Sequence, residues 1–273
     1  IKGDWVAFLD ADDIWLPDFL KSIVNLKNKF SDSEILATSY FIKNENEKYP
    51  IILNGLQLDE GEGYLNNYFA VSSGSHPPIC SSSVVIKKEA LNYISGFPEQ
   101  VVAGEDLVTW AKLAAEFKIA YYKRPLSVFI QHNDSGSPTR YPQEPDIVGK
   151  ELVCLLEKYP QKIGIKKYVA HWFKMRASIY LRSGERKKAF HEICISLTYN
   201  PFNIKLITYL FLLPLPLFMI KRIFVIFGID EKIMKVVFLH TDFRIYWPAR
   251  LNSLKEFLDQ RSISLEVIEI SGK

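Results

Sequence analysis

Up to Gln131 the apolar positions of the chain switch between two periods. Trp5-Val6-Ala7-Phe8-Leu9 is a continuous apolar run closed by acids, the pattern of a buried strand. After Pro17, apolar residues recur at Phe19, Leu20, Ile23 and Leu26, while Lys21, Lys27 and Lys29 fall off that stripe, which predicts an amphipathic helix to about Phe30. Ile35–Ile42 predicts a second strand and Tyr49–Leu53 a weaker third. Ser82–Ile86 predicts another, entered from the Pro77-Pro78 breaker. Leu107, Trp110, Ala111, Ala114 and Phe117 mark a further amphipathic helix, followed by short strands at Ala120–Tyr122 and Ser127–Gln131. Strands and helices mixed in this order imply an α/β layer architecture.

The second half reads differently. Asn133–Pro145 is rich in Ser, Gly, Pro, Asn and Gln, the composition of a loop, and is placed either as a lid over a site or as a domain boundary near residue 140. Beyond it the pattern is helical to Phe227. Ala170–Pro201 resembles one tetratricopeptide unit, with Ala177, Tyr180, Gly184, Ala189 and Pro201 at the small, aromatic, turn and terminating positions. A single unit cannot bury its own face, so it is read as a helical hairpin packed on its neighbours. Leu206–Ile220 is the most apolar stretch, interrupted by Pro214 and Pro216 and flanked by Lys205, Lys221 and Arg222. At about 1.5 Å per residue it is too short to span a bilayer, and the prolines break any single helix. Two readings stay open for it: a buried core helix, or an in-plane membrane anchor with snorkelling basic flanks.

The tail changes character again. Met234–His240 predicts a strand, Trp247–Gln260 a helix and Ser264–Ile270 a strand, the opening β-α-β unit of a second Rossmann-like domain. Residues 234–273 resemble the start of a GT-B-type glycosyltransferase. The three units expected are therefore 1–140, 141–229 and 234–273. The chain starts at Ile1 and stops at Lys273 just after an apolar run, and both ends read as cuts through structure, with no secretory signal at the start.

Composition narrows the classes. Of 273 residues, 48% are apolar and 24% charged, which excludes disorder and collagen-like repeats. A net charge of +3 lacks the basic excess of a nucleic-acid binder, so no nucleic-acid partner is expected. Three widely spaced cysteines, Cys80, Cys154 and Cys194, form no zinc-ligand spacing and no disulfide framework, which fits a reducing compartment.

Three clusters carry candidate chemistry. Phe8-Leu9-Asp10-Ala11-Asp12-Asp13 delivers three carboxylates at a strand end, where mutual repulsion raises their pKa values unless a cation or hydrogen-bond donors sit among them. Oxygen-only ligands suit Mg²⁺ or Mn²⁺. The plainer alternative is that Asp12 or Asp13 caps the helix entered through Pro17. Gly104-Glu105-Asp106 opens the second helix, where acids complement the helix dipole, or where a carboxylate faces a cleft and accepts a proton from a hydroxyl. His132 follows a strand and is either a surface histidine or a nitrogen ligand to Mn²⁺.

Together these segments resemble the family 2 glycosyltransferases of GT-A fold, from Gly3 to roughly Ser137. The block Gly3–Pro17 matches the family's strand plus Asp-x-Asp motif, and Asn92–Glu99 is similar to its Gly-Phe-Asp-Glu turn with Pro98 in place of Asp. Gly104–Trp110 matches the Glu-Asp motif. Phe129–His132 corresponds to a Tyr-Arg-x-His segment, with Ile130 where Arg is common. The resemblance implies a partial GT-A (Rossmann-like) mixed sheet followed by a helical region, and inverting transfer of a sugar from a nucleotide-sugar donor to a hydroxyl of a glycan or lipid-linked acceptor. It implies a role in cell-surface polysaccharide or glycan synthesis; the location expected is cytoplasmic, and peripheral at the inner face of the cell membrane where the Leu206–Ile220 segment is read as the in-plane anchor. Residue by residue, it implies Asp106 as general base with Glu105 beside it, Asp10 and Asp13 at the nucleotide, and Asp12, Asp10 and His132 at a Mg²⁺ or Mn²⁺ ion. An alternative of another class is a catalytically inactive helical adaptor that binds a partner or a membrane surface.

Overall fold

A computed structural model of the chain describes residues 3–45, 47–58, 61–131 and 141–227. His132, most of the polar loop and the 234–273 β-α-β unit lie outside the described residues. The elements run β1 (Trp5–Ala7), β2 (Ile14–Trp15), α1 (Phe19–Lys29), β3 (Ile35–Lys43), β4 (Lys48–Pro50), β5 (Glu62–Tyr64), α2 (Tyr68–Gly74), a 3₁₀ turn (Ser81–Ser83), β6 (Val84–Lys87), α3 (Lys88–Tyr93), α4 (Glu105–Glu116) and β7 (Ile119–Ile130). The helices α5 (Ile147–Lys158), α6 (Ile165–Ser183), α7 (Arg186–Tyr199), α8 (Ile204–Leu212) and α9 (Leu217–Phe227) follow.

The strands form one mixed sheet in the order β1-β6-β3-β7-β2, with β4 paired to β3 and β5 to β7. Strands β3 and β7 run parallel from Ile35 opposite Ile119 to Lys43 opposite Ile130, and the other pairs are antiparallel. Side chains alternate across the sheet, as a period of two requires. Leu36, Val85 and Ala120 face α1 and bury Phe19, Ile23 and Leu26. Their neighbours Ile35, Ala37, Val84, Ile86, Ile119 and Tyr121 face the opposite layer, where α4, α2, α5 and α6 supply Trp110, Phe69, Leu152 and Trp172. The sheet core therefore continues without a break into α5 and the first half of α6. A second cluster begins at Ala177 in the same helix and runs through Ala189 and Leu206 to Phe224.

The expected pair of strands around residue 125 is one twelve-residue strand. Lys123, Arg124 and Pro125 interrupt the apolar pattern, and the ladder absorbs them as an irregularity opposite Thr38–Tyr40. A bulge is where a sheet tolerates a proline that has no N–H to donate. The two expected apolar strands Trp5–Leu9 and Tyr49–Leu53 pair over only three residues each; beyond the ladders Phe8 packs against the main core and Ile51 packs with Tyr40, Cys80 and Phe129. Helix α2 is buried at Tyr68, Phe69 and Val71 but spans seven residues, too few to show a helical period in the sequence.

The hairpin read in residues 170–201 is present. Helix α6 ends at Gly184, whose φ of 82° makes the left-handed turn into α7. As Pro214 and Pro216 require, the Leu206–Ile220 stretch is not one helix but two, α8 and α9, joined by a turn. Among the described residues no helix is long and apolar enough to cross a membrane.

One buried cation ties the segment before α5 to the hairpin. Arg176, 4% exposed, contacts Glu192 at 2.9 Å, Glu144 at 2.8 Å and Asp146 at 3.3 Å. Asp146 in turn caps α5 by accepting from the Gly149 N–H at 2.9 Å.

Candidate functional site

The chain beyond β1 is held from several sides. Phe8 meets Phe97 and Trp110 edge-on at centroid distances of 5.7 and 6.1 Å, and Phe97 meets Trp110 at 5.6 Å. Phe8 lies just before Asp10, and Trp110 lies one helical turn beyond Asp106. The aromatic triangle thus fixes the carboxylate turn against the start of α4, each edge-to-face pair adding about 0.5–1.5 kcal/mol beyond its buried area. Phe97 is delivered by a turn in which Ser95 and Gly96 take φ of 64° and 69°.

Ser82, buried in the 3₁₀ turn, is the second anchor. Its Oγ accepts from the Asp10 N–H at 3.0 Å, its carbonyl accepts from Trp15 Nε1–H at 2.8 Å, and its hydroxyl bonds to Asp13. Asp13 N–H donates to the Asp10 carbonyl at 3.1 Å and closes the turn. Asp13 Oδ1 accepts from the Ile130 N–H at 2.8 Å, at the end of β7. Three successive acids therefore have three different surroundings: Asp10 is partly buried, Asp12 exposed and Asp13 buried. Neither Asp12 nor Asp13 caps α1, whose N-cap is Asp18 with no side-chain capping bond.

Glu105 and Asp106 open α4 behind Gly104. Gly104 takes a φ of 89°, and a Cβ there would stand 2.9 Å from the Trp172 ring of α6. Glycine is required on both counts. Tyr168 of the same helix donates from its hydroxyl to the Leu107 carbonyl at 3.1 Å, and Gln143 bonds both Val102 N–H, at 2.9 Å, and the Gln100 carbonyl, at 2.6 Å. The helical region thus backs the α4 entry. Asp106 is buried, and its Oδ1 accepts from the adjacent Leu107 N–H at 2.7 Å. It lines a small pocket with Tyr40, Cys80 and Phe129.

The electrostatics couple the two clusters. Burial, then the Asp12 and Glu105 charges, push Asp10 up to about 7. Burial, then Glu105 and Asp10, push Asp106 up to about 8. Asp13 is also held well above the usual carboxylate range, by burial and by Asp10, against the lowering bonds from Ser82 and Ile130. Beneath them, burial and the Asp13 and Asp10 carboxylates push the Cys80 thiol up, so Cys80 acts as a neutral floor. The Asp10 charge is among those that raise Asp106, and the Glu105 charge among those that raise Asp10, so the carboxylate turn and the start of α4 act on each other. Asp10 Oδ2 and Asp13 Oδ2 are buried with no hydrogen-bond partner among the described residues.

A carboxylate whose proton affinity lies near neutral pH is suited to taking a proton from a hydroxyl as a bond forms. Orphaned carboxylate oxygens beside an exposed third acid suit a hard cation, which takes oxygen ligands. Among the described residues no three His, Cys, Asp or Glu side chains form a ready-made metal-ligand set. His132 lies outside the described residues.

The supports of this site were hidden from sequence reasoning. Ser82 sits in a run of three serines with nothing to distinguish it, and Trp172 and Tyr168 lie in a long helical stretch with no local signal that sets them apart. Phe8, Phe97 and Trp110 were visible as apolar positions. Their meeting was not, because it joins segments about a hundred residues apart.

No curated protein matches the chain. The family model for Glycosyl transferase family 2 matches residues 1–93, from the start of the chain to the end of α3. The matched span includes β1, the Asp10–Asp13 turn and Ser82, and stops short of Asp106. Over this N-terminal part, with its carboxylate turn, the chain is similar to the family 2 glycosyltransferases.

Proposed function

We propose that the chain carries out inverting transfer of a sugar from a nucleotide-sugar donor to a hydroxyl of a glycan or lipid-linked acceptor, in cell-surface polysaccharide or glycan synthesis at the cytoplasmic side of the membrane. The family match supports a glycosyltransferase with a nucleotide-sugar donor and an acceptor. The single observation that carries the finer reading is the packing of the carboxylate turn against the start of α4 through Phe8, Phe97 and Trp110, which brings the Asp10 charge to bear on the buried Asp106.

In this reading Asp106 takes the acceptor proton, and Glu105 beside it keeps its proton affinity high. Asp10 and Asp12 would hold a Mg²⁺ or Mn²⁺ ion, a fit supported by the orphaned Asp10 Oδ2 and by the exposure of Asp12. Such an ion typically binds through one or two carboxylates plus substrate phosphates, and when bound it supplies charge neutralisation for the leaving diphosphate. His132 is a third donor in the proposal. Asp13 was expected at the nucleotide. Its bond to Ile130 gives it a positioning part as well, fastening the turn to β7.

The test is release of nucleoside diphosphate from a panel of nucleotide sugars offered with Mn²⁺ and hydroxyl acceptors. The product should carry the inverted anomeric configuration, and Asp12→Asn should raise the Mn²⁺ concentration needed for half-maximal rate. Retained configuration would remove the single-displacement reading, and an unchanged Mn²⁺ requirement would remove Asp12 from the cation site.

A further inference from the structure

Helix α8 is apolar on two faces. Leu206, Tyr209 and Leu212 are buried against the hairpin. On the other side Ile204, Ile207 and Phe211 are exposed, and residues spaced three and four apart share a helix face. The stripe extends at both ends, to Phe202, 90% exposed, before α8 and to Phe218, 64% exposed, with Met219 in α9. Isolated exposed apolar residues are ordinary, but Phe202 and five more large ones on the two consecutive helices that follow are a concentration that calls for an occupant.

The charge around the patch selects one. From Ile193 to Ile229 the sequence has no Asp or Glu, while Lys205, Lys221 and Arg222 are all exposed beside the apolar residues. Phe218 and Arg222 stand one helical turn apart. Helices of nine and eleven residues measure roughly 14 and 17 Å, about half the hydrocarbon thickness of a bilayer. They therefore fit the interface rather than a crossing. The turn between them is tied down by Arg186, which donates to the Leu215 carbonyl at 2.9 Å, and both helices pack their buried residues into the same hairpin cluster.

We propose that the exposed face of α8 and α9 is a docking surface for an anionic lipid bilayer, lying in the plane of the membrane with its aromatic and aliphatic side chains in the headgroup–acyl boundary and Lys205, Lys221 and Arg222 on the phosphates. The inference stands on exposure and charge alone and is independent of the transfer chemistry. Interfacial helices of this kind bind by apolar area plus attraction to anionic lipid, so both contributions are separately removable.

The experiment is co-sedimentation of the full chain with phosphatidylcholine vesicles, with and without phosphatidylglycerol, at low and high salt. Binding should need the anionic lipid and weaken with salt. Lys221→Glu with Arg222→Glu should lower the partition coefficient by about 30-fold or more, given the attraction of each basic residue near a charged surface. Phe211→Ser with Phe218→Ser, both at exposed positions, should abolish binding while leaving the circular dichroism spectrum and melting temperature unchanged. Absence of binding to anionic vesicles at low salt overturns the proposal and leaves the face to residues 228–273 or to another protein. If the Phe→Ser pair instead turns a dimer into a monomer and leaves vesicle binding unchanged, the face joins two copies of the chain and the proposal is equally overturned.

Discussion

Replacing Asp106 with asparagine separates a working base from a helix start, because the two roles predict opposite effects. The side chain is buried, and its carboxyl is carried from 3.8 to about 8, chiefly by burial and then by Glu105 and Asp10. A carboxyl raised in the folded state holds its proton there while the unfolded chain has already released it. Stability is therefore fully present below pH 3.8, falls as pH rises, and the fall is complete only above about 8. Between about pH 5 and pH 8 the loss from this one group is roughly 3–4 kcal/mol, taking about 1.4 kcal/mol for each pH unit across which only the unfolded form is ionised. At roughly 2–4 °C per kcal/mol for a chain of this size, the melting temperature should drop by on the order of 10 °C from this cause. Asp106→Asn removes the ionisation yet keeps an Oδ1 to accept from Leu107 N–H, so the variant should gain on the parent as pH rises. Activity should move the other way, kcat falling on the order of 10²–10⁴-fold with the donor KM little changed. The assays are thermal melts across pH and steady-state kinetics of the same preparations. A melting difference that stays flat from pH 5 to pH 9, together with parental kcat, would refute both the buried-acid argument and the base assignment.

Other substitutions test the supports. Gly104→Ala forces an L-residue to a φ of 89° and a Cβ to within 2.9 Å of Trp172, so stability should fall by roughly 2 kcal/mol, read from the denaturant midpoint, and kcat should fall with it because Asp106 is two residues on. Asp13→Ala leaves the Ile130 N–H without its acceptor and should cost about 1–3 kcal/mol, whereas Asp13→Asn keeps the acceptor and should melt close to the parent. Arg176→Met leaves Glu192, 5% exposed, without its cation and should destabilise the chain by about 3–5 kcal/mol; adding Glu192→Leu should recover much of the loss.

The layout of the sheet half was legible where apolar runs are long. Helices α1 and α4 and strand β3 lie within a few residues of their predicted bounds, because each buries a stripe or an alternating face that the sequence displays. Short elements were not legible: β2 has two residues, β5 three and α2 seven, all fixed by tertiary contacts rather than by period. The break expected at Lys123–Pro125 was a local signal overruled by the parallel ladder with β3. The carboxylates themselves stood out by type and spacing. Their surroundings did not: that Asp13 is used by Ile130 while Asp12 is exposed depends on the end of β7, more than a hundred residues away. The apolar stretch after Lys205 announced its prolines and its basic flanks, but only the packed hairpin separates the buried residues Leu206, Tyr209 and Leu212 from the exposed Ile204 and Phe211.

The central claim is that the turn after β1 and the start of α4 contribute carboxylates to one site. Titration of Asp106 by ¹³C nuclear magnetic resonance, in the parent and in Asp10→Asn, tests it without requiring substrate. The parent should titrate near 8, and the variant should titrate lower because a neighbouring negative charge is gone, while staying well above 3.8 because burial is the larger cause. An Asp106 titration that is identical in the two proteins would contradict the account.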